Sequence, residues 1–168
     1  MNKYTLWGII FSTVLGTFLH FAYDFSGQNA VIGIFSATNE SIWEHLKLLF
    51  YPVLIFSVFQ YFADANEIHA FIPSRVKGLL LGLAFIVIAY YTYSGVIGKN
   101  YDFINILIFI ISVIITFIMT NIFIKNSGDP TSVCIGASLV AVAVLIALFT
   151  IFTFYPLPLN LFADPTKI

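Results

Sequence analysis

Five runs of apolar residues, at roughly 4–23, 43–63, 76–97, 103–124 and 133–155, occupy most of this 168-residue chain. A helix needs about 20 predominantly apolar residues, or about 17 at the short end, to cross the hydrocarbon of a bilayer. Each run meets that length. Inside lipid every backbone N–H and C=O must be paired within the protein, which leaves helices or a closed barrel. A barrel would read as alternating segments of about ten residues, and these runs neither alternate nor stop so soon. The expected fold is therefore all-α: a polytopic membrane helical bundle of five transmembrane helices, with residues 1–168 as a single integral membrane domain. Charge agrees, at 9% of residues against about 25% in a soluble domain.

Several function classes are excluded at this level. The net charge is −1 and no basic patch exists to bind nucleic acid. The single cysteine, Cys134, forms no intrachain disulfide or thiol metal motif and reads as a small packing residue. The first run is too long for a signal-peptide core and lacks a small-x-small cleavage site, so it reads as a retained helix. There is no nucleotide-binding glycine loop, serine-nucleophile elbow or haem-attachment motif.

Five crossings sort the connecting residues onto two sides. One side receives His20, Asp24, Glu40, Glu44, His45, Tyr90, Tyr91, Tyr93, Asp102, Asn105, Tyr155 and Asp164. The other receives Asp64, Glu67, His69, Arg75, Lys77, Lys125 and Asp129, an ordinary solvated set. Five of the 8 acids and two of the 3 histidines thus share one side. With the N-terminus cytoplasmic, Lys3, Arg75, Lys77 and Lys125 lie inside and Lys47, Lys99 and Lys167 outside, the orientation that the positive-inside rule favours.

The connections carry their own signals. Asn29 to Phe35 is apolar but far too short to span, so it reads as an interfacial or re-entrant segment between the first and second spans. Ser41-x-x-Glu44 matches a capping box opening the second span, and Pro52 can kink that helix. Tyr155-Pro-Leu-Pro-Leu-Asn-Leu-Phe162 is held extended by its prolines and ends on the acidic side, where it could act as a lid. Gly78-Leu-Leu-Leu-Gly82 is a GxxxG motif, and Ala137, Ala141, Ala143 and Ala147 make similar small steps in the last span. Packing within the bundle is the first reading of these, and a homo-oligomer through Gly78 and Gly82 the second. Trp7, Trp43, Tyr90, Tyr91 and Tyr93 read as an aromatic interfacial belt. Asn105 and Asn121 are placed to hydrogen-bond between helices.

The chemistry-bearing residues gather between residues 20 and 47. At 100° per residue, Glu40, Glu44, Lys47 and Tyr51 form one stripe and His45 faces the opposite flank. His20 and Asp24, four apart, share a face of the first helix. Facing one another, His20, Asp24, Glu40 and Glu44 would offer one imidazole and three carboxylates, a set suited to a divalent metal such as Zn, Mn or Fe. Asn39 and Lys47 complete the candidate ligand-binding group. The plainer reading pairs Glu44 with Lys47 at i, i+3, lets Lys47 snorkel, and sets Glu40 and Glu44 against the helix dipole.

The runs His20-Phe-Ala-Tyr-Asp24 and Ile34-Phe-Ser-Ala-Thr-Asn-Glu-Ser-Ile-Trp-Glu-His-Leu-Lys47 resemble a family of uncharacterised small membrane proteins from Firmicutes. Tyr155 to Phe162 with Asp164-Pro165 is similar to that family's closing segment, although Leu157 replaces a second proline and a final Tyr-Gly pair is absent. The likeness spans essentially the whole chain and is most specific in the Asn-Glu-Ser-x-Trp-Glu-His block. It implies a bacterial cytoplasmic-membrane protein and carries no activity with it.

Three functions are then weighed. The first is a non-enzymatic membrane protein binding a small polar ligand or cation at its outer mouth, with Glu40 and Glu44 as principal ligands. The second is a metal-dependent lipid hydrolase, with Glu44 or His45 as general base to a metal-bound water. The third is a partner-binding subunit. A complete ion pathway is disfavoured, because only Ser57, Thr116 and Thr150 continue the polar residues toward the midplane.

Overall fold

The computed structural model describes residues 3–63 and 70–166, and no strand occurs among them. Asp64, Glu67, His69 and Lys167 lie outside the described residues. The elements are α1 (Lys3–Phe25), α2 (Ala30–Phe35), α3 (Ile42–Ala63), α4 (Phe71–Ile97), α5 (Asp102–Asn126) and α6 (Ser132–Phe154). The five long helices match the five apolar runs, and each is long and apolar enough to cross a membrane. The apolar segment at 29–35 forms the short helix α2, capped by the Asn29 side chain, which accepts from Val31 N–H at 2.9 Å. Gly27 and Gln28, both with positive φ, turn the chain out of α1 ahead of it.

The core is built around α3. Leu49, Phe50 and Val53 have no exposed surface, and Tyr51 and Phe56 are nearly as deeply buried. Pro52 lies within α3, so Leu48 C=O lacks its usual helical N–H donor. Gly16 of α1 closes on that oxygen; a Cβ there would stand 2.5 Å from it. Helices α4 and α5 meet through the two GxxxG glycines. A Cβ on Gly78 would lie 2.6 Å from Thr116 C=O, and one on Gly82 would collide with Thr116 Oγ1. Within one chain that face is filled by α5. Asn121 Nδ2 donates to Thr5 Oγ1 at 2.6 Å and ties α5 to α1. We expect Asn121→Leu to lower stability in detergent by about 1 kcal/mol, read as a small drop in unfolding temperature.

Three expectations change in the folded chain. Trp43 is buried rather than interfacial: its ring packs on Phe149, Phe152 and Phe162 at centroid distances of 4.9, 5.6 and 5.0 Å. Trp7 does face outward. Cys134 is exposed at the start of α6, where its N–H donates to the Thr131 cap. The alanine steps of α6 do not pack inward either, since Phe149 is the buried residue of that helix. Ala137, Ala143 and Ala147 are exposed, because α6 lies at the edge of the bundle.

Candidate metal centre

The polar residues of the first connection separate into two clusters of different character. In the first, Lys47 Nζ stands 2.6 Å from Glu44 Oε2, with both side chains essentially without exposed surface. Lys47 spends its remaining donors on Gly33 C=O at 2.7 Å and Thr153 Oγ1 at 2.9 Å. Glu44 Oε2 also accepts from the N–H and the hydroxyl of Thr38, each at 2.9 Å. Thr153 Oγ1 lies 2.9 Å from Glu44 Oε1. Every ammonium proton is thus used, and the pair fastens α2, the Thr38 loop, α3 and α6 together. The pair is enclosed, and its hydrogen bonds are made to groups of the chain itself.

The second cluster lies at the surface. His20 Nε2 stands 3.9 Å from Glu40 Oε1, and His45 Nε2 stands 3.5 Å from Glu40 Oε2. The two imidazole rings lie 5.2 Å apart at 42°. One potential ligand atom from each of His20, Glu40 and His45 falls within 4.8 Å of the others. His45 Nδ1 is 2.8 Å from Ser41 C=O, an acceptor, so Nδ1 carries a proton and Nε2 is the ring atom turned toward Glu40. A backbone carbonyl holding one imidazole nitrogen is the usual way a metal-ligating histidine is oriented. Glu40 makes no hydrogen bond among the described residues, and its two oxygens each face one of the imidazoles.

Beside this cluster is a cavity of about 80 Å³, lined by Glu40 and His45 and by Tyr90, Asn100, Asp102 and Asn105 among others. Its polar wall is braced by Tyr93, whose hydroxyl lies 2.6 Å from Asn100 Oδ1 and 2.5 Å from Asn105 Oδ1. The C-terminal tail, which folds into turns around residues 159–163 instead of running extended, closes one side with Pro165 and Thr166. It is held there by Trp43 N–H, which donates to Leu161 C=O at 3.0 Å. That N–H is one of the donors a helix start leaves unpaired, so the tail both caps α3 and borders the cavity.

The single stripe drawn from Glu40 to Tyr51 does not form, because Glu40 precedes the helix and a 100° step has no meaning there. Glu40 joins His20 and His45 instead, and Glu44 goes inward to Lys47. Asp24 shares the outer end of α1 but is exposed and makes no hydrogen bond to His20. Asn39 is spent on local geometry, its Oδ1 accepting from Ser41 N–H at 2.9 Å. The capping box is half made: Ser41 Oγ accepts from Glu44 N–H at 3.4 Å, but Glu44 does not reach back. The histidine missed from the ligand set, His45, had a signal in the sequence. If Ser41 caps α3, Glu40 lies outside the helix and is free to turn toward the opposite flank. Nothing in the sequence pointed to Thr38 or Thr153.

These features define a class: a small all-α protein with five helices of membrane-crossing length and a His–Glu–His cluster at one end. The chain belongs to the Family of unknown function (DUF6512), whose model matches residues 1–167. No curated protein and no solved structure matches it.

Proposed function

We propose that this chain is an integral membrane protein, inserted through α1, α3, α4, α5 and α6, that binds a divalent transition-metal ion through His20, Glu40 and His45. The spacing carries this reading. Two imidazole nitrogens stand 3.9 and 3.5 Å from the two oxygens of one carboxylate, beyond good hydrogen-bond range. Neighbouring ligands of a tetrahedral ion, each about 2.1 Å from it, stand roughly 3.4 Å apart. Two imidazoles and one carboxylate suit zinc, manganese or ferrous iron, and leave a position for water or a small polar ligand. The adjoining cavity supplies the space for it.

Orientation follows from charge. Lys47 is neutralised by Glu44, while Lys3, Arg75, Lys77 and Lys125 lie toward the other end of the bundle. With Lys99 as the remaining described lysine on the histidine side, the positive-inside rule favours a cytoplasmic N-terminus and an outward-facing His20–Glu40–His45 cluster. The resemblance of the Asn-Glu-Ser-x-Trp-Glu-His block supports a bacterial cytoplasmic membrane as its location.

The test is metal content and cobalt(II) absorption of the detergent-purified chain, before and after zinc readdition. Wild type is expected to hold about one ion per chain. His20→Ala, Glu40→Ala and His45→Ala should each weaken it at least tenfold, while Asp24→Ala keeps it. A wild type that takes up no ion after readdition, or that loses it only on Asp24→Ala, would sink the assignment.

A further inference from the structure

At the end of the bundle opposite the histidines, a groove of about 280 Å³ runs between α3, α4 and α6. Leu54, Val58 and Phe62 of α3, Phe71 and Leu79 of α4 and Leu139 of α6 are among its lining residues. Val58, Phe62 and Leu139 are 53%, 78% and 54% exposed, so the groove opens through the flank of the bundle that faces lipid when inserted.

One charge adjoins these apolar walls. Arg75, in the second turn of α4, is the charged side chain among the lining residues, and it is only 6% exposed. Its Nη2 donates to Gln60 Oε1 at 2.6 Å, while Nε and Nη1 have no acceptor among the described residues. The Phe71 and Phe117 rings lie 5.2 and 4.4 Å from Cζ. Rings over a guanidinium attract its charge but do not accept its in-plane N–H groups. No carboxylate among the described residues pairs with it. An ionisable side chain within an apolar span, lacking a counter-charge, marks a place where a ligand supplies one.

We propose that this groove binds an anionic phospholipid, with one acyl chain along the apolar walls and the phosphate paired with Arg75. Guanidinium is permanently charged and matches the oxygen geometry of phosphate. Free phosphate would surrender its hydration for a single cation, whereas an amphiphile adds the burial of its chain along mostly apolar walls, in which Ser57 and Tyr61 are the other polar side chains. The groove's opening on the lipid-facing flank suits a ligand arriving through the membrane. This inference rests on the membrane insertion proposed above and not on the metal; a wild type soluble without detergent would refute insertion separately.

Native mass spectrometry of the detergent-solubilised full chain tests it, titrating phosphatidylglycerol, the diacylglycerol with the same chains, or inorganic phosphate. Wild type should retain one phosphatidylglycerol about tenfold more tightly than Arg75→Gln, and more tightly than it retains the diacylglycerol. Inorganic phosphate alone should not compete. Leu139→Trp, which fills the groove and leaves Arg75 untouched, should lose the same lipid and decides the matter if Arg75→Gln does not fold. Equal retention by Leu139→Trp, no selectivity over the diacylglycerol, or displacement by inorganic phosphate would each overturn the proposal.

Discussion

Glu44→Leu is expected to destabilise the bundle by about 3–5 kcal/mol, the range for breaking one partner of a buried ion pair. The substitution leaves Lys47 charged and enclosed, with only Gly33 C=O and Thr153 Oγ1 to accept from it. It also strips the acceptor from both Thr38 donors. The double replacement Glu44→Leu with Lys47→Leu removes both charges together and should recover most of the loss. Glu44→Gln, which keeps an acceptor for Thr38 while removing the charge, should fall between them. Denaturant titration in a fixed detergent reads all three, and hydrogen exchange across α2 locates the damage. A single variant within 1 kcal/mol of wild type would show that the pair fastens nothing. Metal uptake by folded Glu44→Gln should match wild type, since Glu44 is outside the His20–Glu40–His45 cluster.

Gly78→Leu should be comparably severe. Even a methyl at this position would meet Thr116 C=O at 2.6 Å and Thr120 N at 3.1 Å, both backbone atoms that move only if α5 moves. Overpacking of this kind costs about 1–3 kcal/mol for a small addition, and leucine extends it to the whole α4–α5 contact. Alanine at the same site regains about 1 kcal/mol of helix propensity and should be milder than leucine. Gly95→Ala and Gly136→Ala are the controls: a Cβ at either meets nothing within 4 Å, so they should be neutral or slightly stabilising. If Gly78→Leu instead leaves stability intact and abolishes a dimer, the glycine face joins copies rather than helices of one chain.

The fold was readable from residue order because hydrocarbon length and backbone pairing are blunt constraints. Five runs of suitable length became five helices, with ends displaced by a few residues, most at α4, which begins at Phe71 rather than near residue 76. The candidate site was legible in membership but not in grouping. His20, Glu40, Glu44 and Lys47 were picked out by their chemistry in an apolar setting. Which acid faces which base depended on where α3 starts, a matter of one turn, and on Thr153, 109 residues away from Glu44. Periodicity describes the inside of a helix and says nothing across a cap, which is why Glu40 was grouped with Glu44 as well as with His20, and His45 was set on the opposite flank. Arg75 read as a solvated loop charge for a related reason: α4 begins early enough to carry it inside.

The contacts of Thr153 and Leu161 with the start of α3 also set an order of events during synthesis. The histidines, Glu40 and the buried lysine leave the ribosome with the first third of the chain, long before the residues that seal them. Until the last helix and the tail arrive, Lys47 lacks one of its acceptors and Trp43 N–H lacks its partner, Leu161 C=O. This end is therefore the last part of the molecule to mature, and a nascent chain stalled before the final helix would hold His20, Glu40 and His45 beside a helix start that its closing contacts have not yet fixed.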